Sequence, residues 1–276
     1  MEVNTVAGLD PAVQAKWERL LTIIRDFQSA VVAFSGGVDS GLLSAAAFHT
    51  LGDRMLAVNV HSPVNPPGEE TSAALVADTV GFPFEIFEYD DLKNPSFVRN
   101  PQDRCYYCKL ARLTQLQELA KNRGYRMVLE GSNASDGGDY RPGMRAVADL
   151  GVRSPLAEAG LQKNEIRQIS RVLGLPVWER PSAPCLATRF PYGIQITYES
   201  LEKIATAEKF LIQRGFEPVR VRYLTDEVRI EVDPAEFNRL ISMREEVVKF
   251  IKPLGFHYVT IDLQGYRQGS MNEVLK

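Results

Sequence analysis

The chain has 276 residues, 45% of them hydrophobic and 24% charged, with a formal net charge of −3. That length buries a core of one large domain or two unequal ones, and the composition excludes wholesale disorder. Lysine plus arginine (32) nearly balance aspartate plus glutamate (35), which argues against a dedicated nucleic-acid binder, and three cysteines are too few for a disulfide scaffold. No basic stretch leads into an apolar one at the start, so no signal peptide is read and a cytoplasmic location is expected.

In chain order, residues 27–52 carry one charged side chain, Asp39, over a membrane-like length. Ser35-Gly36-Gly37 in the middle is too flexible and polar for a spanning helix. The segment reads instead as a buried strand at 30–34, a glycine-rich loop and a helix at 41–51, and no membrane contact is expected. A strand at 55–60, a helix at 69–80 and a strand at 84–89 follow. Leu110, Leu113, Leu116 and Leu119 recur on one helical face, and 126–129 is again strand-like. A helix at 161–173 leads into a stretch with Pro176, Pro181, Pro184 and Pro191, read as an irregular functional loop. The alternation predicts an α/β fold over 1–192, a parallel sheet flanked by helices. A smaller α+β domain is expected over 193–276, with a helix at 198–214, strands at 219–223 and 227–232, a helix at 234–251 and a strand at 258–263.

Ser35-Gly36-Gly37-Val38-Asp39-Ser40 falls between the first strand and its helix. Paired glycines let backbone turn sharply and approach a ligand, and the N–H groups of loop and helix start then face negative charge together. The lysine-bearing spacing of the common nucleoside-triphosphate loop is absent. Asp39 beside phosphates calls for a bridging Mg²⁺. The alternative is a glycine-rich turn with an incidental aspartate. SGGVDS resembles the loop of the PP-loop ATP pyrophosphatases, of adenine nucleotide alpha hydrolase-like fold, which split ATP between its α- and β-phosphates and adenylate a substrate oxygen. The resemblance implies ATP contacts at Ser35, Gly36, Gly37, Asp39 and Ser40. It also implies contacts at His61 and Ser62, where the second strand ends, and at Gly131 and Ser132 beyond the fourth. His61 reads equally well as a strand-end residue without chemistry.

Cys105-Tyr106-Tyr107-Cys108-Lys109 opens a helix whose expected cap is Asp103. The helix dipole, Arg104 and Lys109 favour thiolate there. A lone C-x-x-C fits a redox dithiol, half a zinc site or part of an iron–sulfur site. The remaining cysteine is Cys185, and His49, His61 and His257 show no ligand spacing. Three cysteines without a fourth ligand fit a [4Fe–4S] cluster with one open iron; the alternative is three unconnected thiols.

SGGVDS, DRCYYCK, EGSNASDGGDYRPG (130–143) and PSAPCLATRFPYG (181–193) together resemble the LarE family along nearly the whole chain. These ATP-dependent sulfurtransferases make the nickel-pincer nucleotide cofactor of lactate racemase. The resemblance implies adenylation of a carboxylate of pyridinium-3,5-biscarboxylic acid mononucleotide, then conversion to a thiocarboxylate. Many members sacrifice the sulfur of the cysteine at the Cys185 position. This sequence adds Cys105 and Cys108, and three-cysteine members are expected to hold a [4Fe–4S] cluster whose open iron carries a hydrosulfide. An external sulfide source and a homo-oligomer are expected.

The substrate is an anion, and Arg189, Arg220, Arg222 and Arg229 suit phosphate or carboxylate contacts. Arg220 and Arg222 are two apart on one strand, so both point to one side; an ordinary charged strand face is the competing reading. Tyr106 is a candidate for stacking on the pyridinium ring or for packing, Lys109 for a phosphate contact or for solvent, and Glu231 for metal or substrate. The rival functions are a PP-loop tRNA thiolase, an amidating ligase of the NAD or GMP synthetase kind, and a non-catalytic iron–sulfur carrier.

Overall fold

The computed structural model describes residues 6, 8–138, 142–181, 183–267 and 269–275. Residues 139–141, within the Asp-Tyr-Arg-Pro-Gly block, and Ser182 lie outside them. The elements run α1 (Pro11–Phe27), β1 (Ala30–Ala33), α2 (Val38–Leu51), β2 (Met55–His61), α3 (Glu69–Val80), β3 (Phe84–Glu88), α4 (Pro95–Val98), α5 (Arg104–Asn122) and β4 (Met127–Leu129). They continue with α6 (Pro142–Asp149), α7 (Pro155–Glu158), α8 (Lys163–Val172), α9 (Tyr198–Ile212), β5 (Val219–Leu224), β6 (Glu227–Val232), α10 (Phe237–Ser242), α11 (Arg244–Ile251) and β7 (Tyr258–Ile261).

The chain forms two compact units. The first comprises residues 1–62, 68–90 and 103–183; the second comprises 63–67, 91–102 and 184–276. In the first unit four strands pair in the order β3-β2-β1-β4, all parallel. Side chains alternate across a strand, and the burial follows that period. Ala30 and Val32 of β1 pack with Met55, Ala57 and residues of α1, α2, α3 and α8, whereas Val31, Leu56, Val58 and Val128 pack on Leu113, Leu116 and Ala120 of α5. Both faces are therefore roofed by helices, which is why β1 is apolar throughout. The predicted α/β architecture holds.

In the second unit β5 and β6 form an antiparallel pair, and β7 joins β6 in parallel. Helices α10 and α11 supply the crossover that a parallel pair needs.

Three expectations are corrected. The helix expected from residue 41 begins at Val38, because Gly37 already adopts the extended N-cap conformation. The helix expected over 234–251 is a 3₁₀ turn (Pro234–Glu236) followed by α10 and α11, broken at Met243. Asp103 occupies the N-cap of α5 but makes no side-chain cap bond; its carboxylate lies 3.7 Å from Arg145 instead. No described helix is long and apolar enough to cross a membrane.

Candidate functional site

β1 delivers the chain to the carboxyl edge of the sheet, where open α/β sheets bind ligands. Gly36 turns with φ +69°, and a Cβ there would come within 2.6 Å of the Ala73 backbone nitrogen on α3. Only glycine fits both constraints. Gly37 then caps α2 without a side-chain bond, so the first N–H groups of α2 receive no side-chain cap. Ser40 Oγ braces the loop: it accepts from the Ser35 N–H at 3.2 Å, lies 3.1 Å from Ser35 Oγ, and donates to the Gly37 carbonyl at 3.3 Å.

Asp39 lies in the first turn of α2, not in the loop ahead of it. Its Oδ2 accepts a 2.5 Å hydrogen bond from Lys163 Nζ, the first residue of α8. Its Oδ1 is buried and has no hydrogen-bond partner among the described residues. Burial pushes the Asp39 carboxyl above the usual aspartate range against the pull of Lys163, and the negative charge of Asp136 adds to the rise. A half-buried carboxylate with one buried, unpaired oxygen is chemically suited to a divalent cation.

The strand-end positions are also at this edge. Gly131 packs so tightly on α2 that a Cβ there would sit 3.1 Å from the Ser40 nitrogen. Ser132 is buried and donates from Oγ to Glu130 Oε2 at 2.8 Å. Glu130 also accepts from Lys109 Nζ at 2.7 Å. Burial alone would raise the Glu130 carboxyl; the Lys109 charge and the donors Lys109, Ser154 and Ser132 outweigh it and hold it below the usual range. His61 ends β2 with its ring beside Glu70 and within 4.0 Å of Glu88, and Ser62 is buried next to it. Asn59 is fully buried, donates to the Phe34 carbonyl at 2.9 Å, and leaves its Oδ1 without a hydrogen-bond partner among the described residues.

Cys105 and Cys108 lie one helical turn apart at the start of α5, exposed and half-buried respectively. Between them Tyr106 donates to Asp149 at 3.0 Å, and Arg145 lies over its ring at 3.8 Å, both from the region of α6. Cys185 belongs to the second unit, at the N-cap of a 3₁₀ turn (Leu186–Arg189), where its carbonyl accepts from Thr188 Oγ1 at 2.8 Å. None of the three is in a disulfide. Among the described residues no group of three or more His, Cys, Asp or Glu side chains is arranged to hold a metal ion.

The second unit holds the arginines. Arg189 is buried in a bidentate pair with Glu208, 2.8 Å at both contacts. Arg222 is buried in a bidentate pair with Glu231, at 2.9 and 2.6 Å. Arg229 lies 3.4 Å from Glu231 and 3.5 Å from Asp262. Arg220 differs: among the described residues no carboxylate pairs with it, and it rests on the Val219 carbonyl (2.7 Å) and the Tyr266 ring (5.1 Å). Burial, then the neighbouring Arg189 charge, pull the Arg220 guanidinium below its usual range.

Sequence reasoning missed Lys163, Asp136, Glu130 and Glu208. Lys163 lies 124 residues from Asp39, Glu130 lies 21 from Lys109 and Glu208 lies 19 from Arg189, so no local spacing marks those pairs. The Asp39 position itself was the available signal for a nearby cation.

A parallel sheet whose first strand feeds an SGGVDS loop onto an uncapped helix start defines an ATP-using enzyme of the PP-loop class. No family model matches the chain. The chain is similar to an uncharacterized protein of Synechocystis sp., at 40% identity over 95% of this chain and 99% of that one. It is similar to the pyridinium-3,5-bisthiocarboxylic acid mononucleotide synthase of Lactiplantibacillus plantarum, at 36% identity over 93% of each chain. A likeness to the NH(3)-dependent NAD(+) synthetase of Finegoldia magna, 31% identical, covers 61% of this chain and 71% of that one. The chain belongs to the LarE family and is an ATP-dependent sulfurtransferase.

Proposed function

We propose that this chain adenylates a carboxylate of pyridinium-3,5-biscarboxylic acid mononucleotide, releases pyrophosphate, and replaces the activated oxygen with sulfur, a step in nickel-pincer nucleotide cofactor biosynthesis. The observation that carries this reading is the near full-length likeness to a synthase of the corresponding bisthiocarboxylic acid.

A free carboxylate is a poor electrophile because its leaving group would be oxide. Attack of the carboxylate oxygen on the α-phosphorus of ATP expels pyrophosphate and leaves an acyl-adenylate. A sulfur nucleophile then adds to the acyl carbon, and AMP departs with the bonding pair. The open N–H groups of α2 and the loop glycines hold the pyrophosphate. Lys163 shares the charge at Asp39. The orphaned Asp39 Oδ1 is the oxygen that would hold a Mg²⁺, which when bound would offset phosphate charge. Ser35, Ser40, His61, Ser62, Gly131 and Ser132 complete the nucleotide site in this reading.

Three thiols are a donor set suited to a [4Fe–4S] cluster, and two of them share one helix face. Cys105, Cys108 and Cys185 would hold it, and the bound cluster would supply exchangeable sulfur. Of the four candidate arginines, Arg220 is the one with no carboxylate pair among the described residues and is the group for the substrate anion; Arg189, Arg222, Arg229 and Glu231 build the charged framework around it.

The test is anaerobic isolation with iron and sulfide analysis, followed by assay of pyrophosphate and thiocarboxylate. About four irons per chain and an unchanged protein mass after turnover are expected. Zinc without iron would refute the cluster, and a loss equal to H₂S at Cys185 would show sacrifice of that cysteine. Absence of pyridinium-dependent pyrophosphate release would overturn the substrate.

A further inference from the structure

Glu130 sits at the first position beyond β4 and is 5% exposed. Its backbone is fixed, since its N–H donates to the Arg153 carbonyl at 2.9 Å. Its carboxylate collects donors from three directions. Lys109 Nζ arrives from α5 at 2.7 Å; Ser132 arrives from the following loop through Oγ at 2.8 Å and N–H at 3.1 Å; Ser154 Oγ arrives from the segment ahead of α7. A carboxylate offers about four acceptor sites, so this one is saturated and has no vacant site for a ligand. It is a junction, not a reacting group.

What the junction holds is specific. Lys109 follows Cys108 and lies one turn after Cys105, so pinning its ammonium fixes the helix face that carries both cysteines. α6 closes over the same place: a Cβ at Gly143 would meet Lys109 Cδ at 3.1 Å and the Cys105 carbonyl at 3.5 Å. Ser132, bound to the same carboxylate, directly follows Gly131, which packs on the Ser40 backbone at the start of α2. One buried carboxylate thus ties the cysteine-bearing turn of α5 to the strand edge on which the loop of α2 rests.

We propose that Glu130 is a positioning residue: it fixes the Cys105–Cys108 turn against the nucleotide edge, and so couples adenylation to sulfur transfer. The coupling assay rests on the substrate proposed above. With the turn loosened, adenylate still forms on the α2 loop, but a misplaced sulfur donor lets water take the acyl carbon, returning carboxylate and AMP. Misplacement of about 1 Å costs on the order of a hundredfold in rate.

The experiment compares the full-length protein with Glu130→Ala and Glu130→Gln, in two measurements. The first is the ratio of pyrophosphate released to thiocarboxylate formed, in ATP, Mg²⁺ and the pyridinium mononucleotide. The second is the rate at which iodoacetamide alkylates Cys108 in the metal-free protein. Glu130→Ala is expected to raise the ratio roughly tenfold or more, on the misplacement argument, and to raise the alkylation rate severalfold. Glu130→Gln, which keeps an acceptor for the serines and loses the ion pair, is expected to fall between. If Glu130→Ala does not fold, Glu130→Gln decides alone. An unchanged ratio and an unchanged alkylation rate in a folded variant overturn the proposal. A parent protein that releases no pyrophosphate with this substrate sinks the substrate reading, and the alkylation arm still decides the role of Glu130.

Discussion

Gly36 and Gly37 are neighbours in the loop, yet they answer to different constraints. Gly36 has φ +69° and no room for a Cβ beside Ala73, whereas a Cβ at Gly37 would meet only Ser35 Oγ at an ordinary 3.5 Å. Gly36→Ala is therefore expected to cost about 2 kcal/mol or more, from left-handed strain plus the clash, and Gly37→Ala less than about 1 kcal/mol. Thermal melting of both variants checks this; equal losses would refute the assignment. Asp39 carries the chemistry of the same turn. Asp39→Asn should reduce pyrophosphate release by roughly a hundredfold or more if the carboxylate holds the cation, a loss of electrostatic stabilisation of the usual size. Retained turnover would exclude that role. Glu130 gives a pH prediction. Its folded value is lowered, so the stability it contributes is fully present above the ordinary glutamate value of 4.5 and is lost as pH falls through the folded value. The stability gap between the parent and Glu130→Gln should accordingly narrow on acidification below pH 4.5, and a gap that widens there would contradict the direction.

At the scale of elements, strand pairing explains why the arginines were only half readable. Alternation puts Arg220 and Arg222 on one side of β5, which the sequence shows. It does not show that β6 places Glu231 where it closes a bidentate pair with Arg222, or that Glu208 of α9 does the same for Arg189. Whether an arginine is a ligand group or a structural ion is decided by the neighbouring element, not by its own spacing. Glu231 is fully buried, so Glu231→Ala strands a buried guanidinium and should cost about 3–5 kcal/mol. Replacing Arg222 and Glu231 together by methionines should cost much less, because no unpaired charge remains. Urea unfolding of the single and double variants tests this, and a double variant worse than the single one would refute it. The α5 start shows the same limit. The C-x-x-C spacing identifies two thiols on one face, but the expected cap bond from Asp103 is absent and Arg145 of α6 has drawn that carboxylate away.

For the whole molecule, what the sequence settled by itself was the α/β architecture, the anion loop and the family. These rest on information confined to a few neighbouring residues: the apolar run of β1, the two glycines, the alternation of strand and helix, and motif blocks that survive without knowledge of contacts. Backbone conformation is set locally, so a local reading reaches it. What only the tertiary structure decided is which charges meet. Lys163 reaches Asp39 across 124 residues, Lys109 reaches Glu130 across 21, and Arg189 reaches Glu208 across 19. Such pairs determine which carboxylate still has a bare oxygen for a cation, which of the four candidate arginines lacks a carboxylate partner among the described residues, and which lysines are already committed. Charge pairing depends on distance in space and on burial, which folding creates by packing distant segments on one sheet edge. The near-balance of 32 basic and 35 acidic side chains excluded a large one-signed field from the start; the fold then spent many of those charges on one another and left a few of them for ligands.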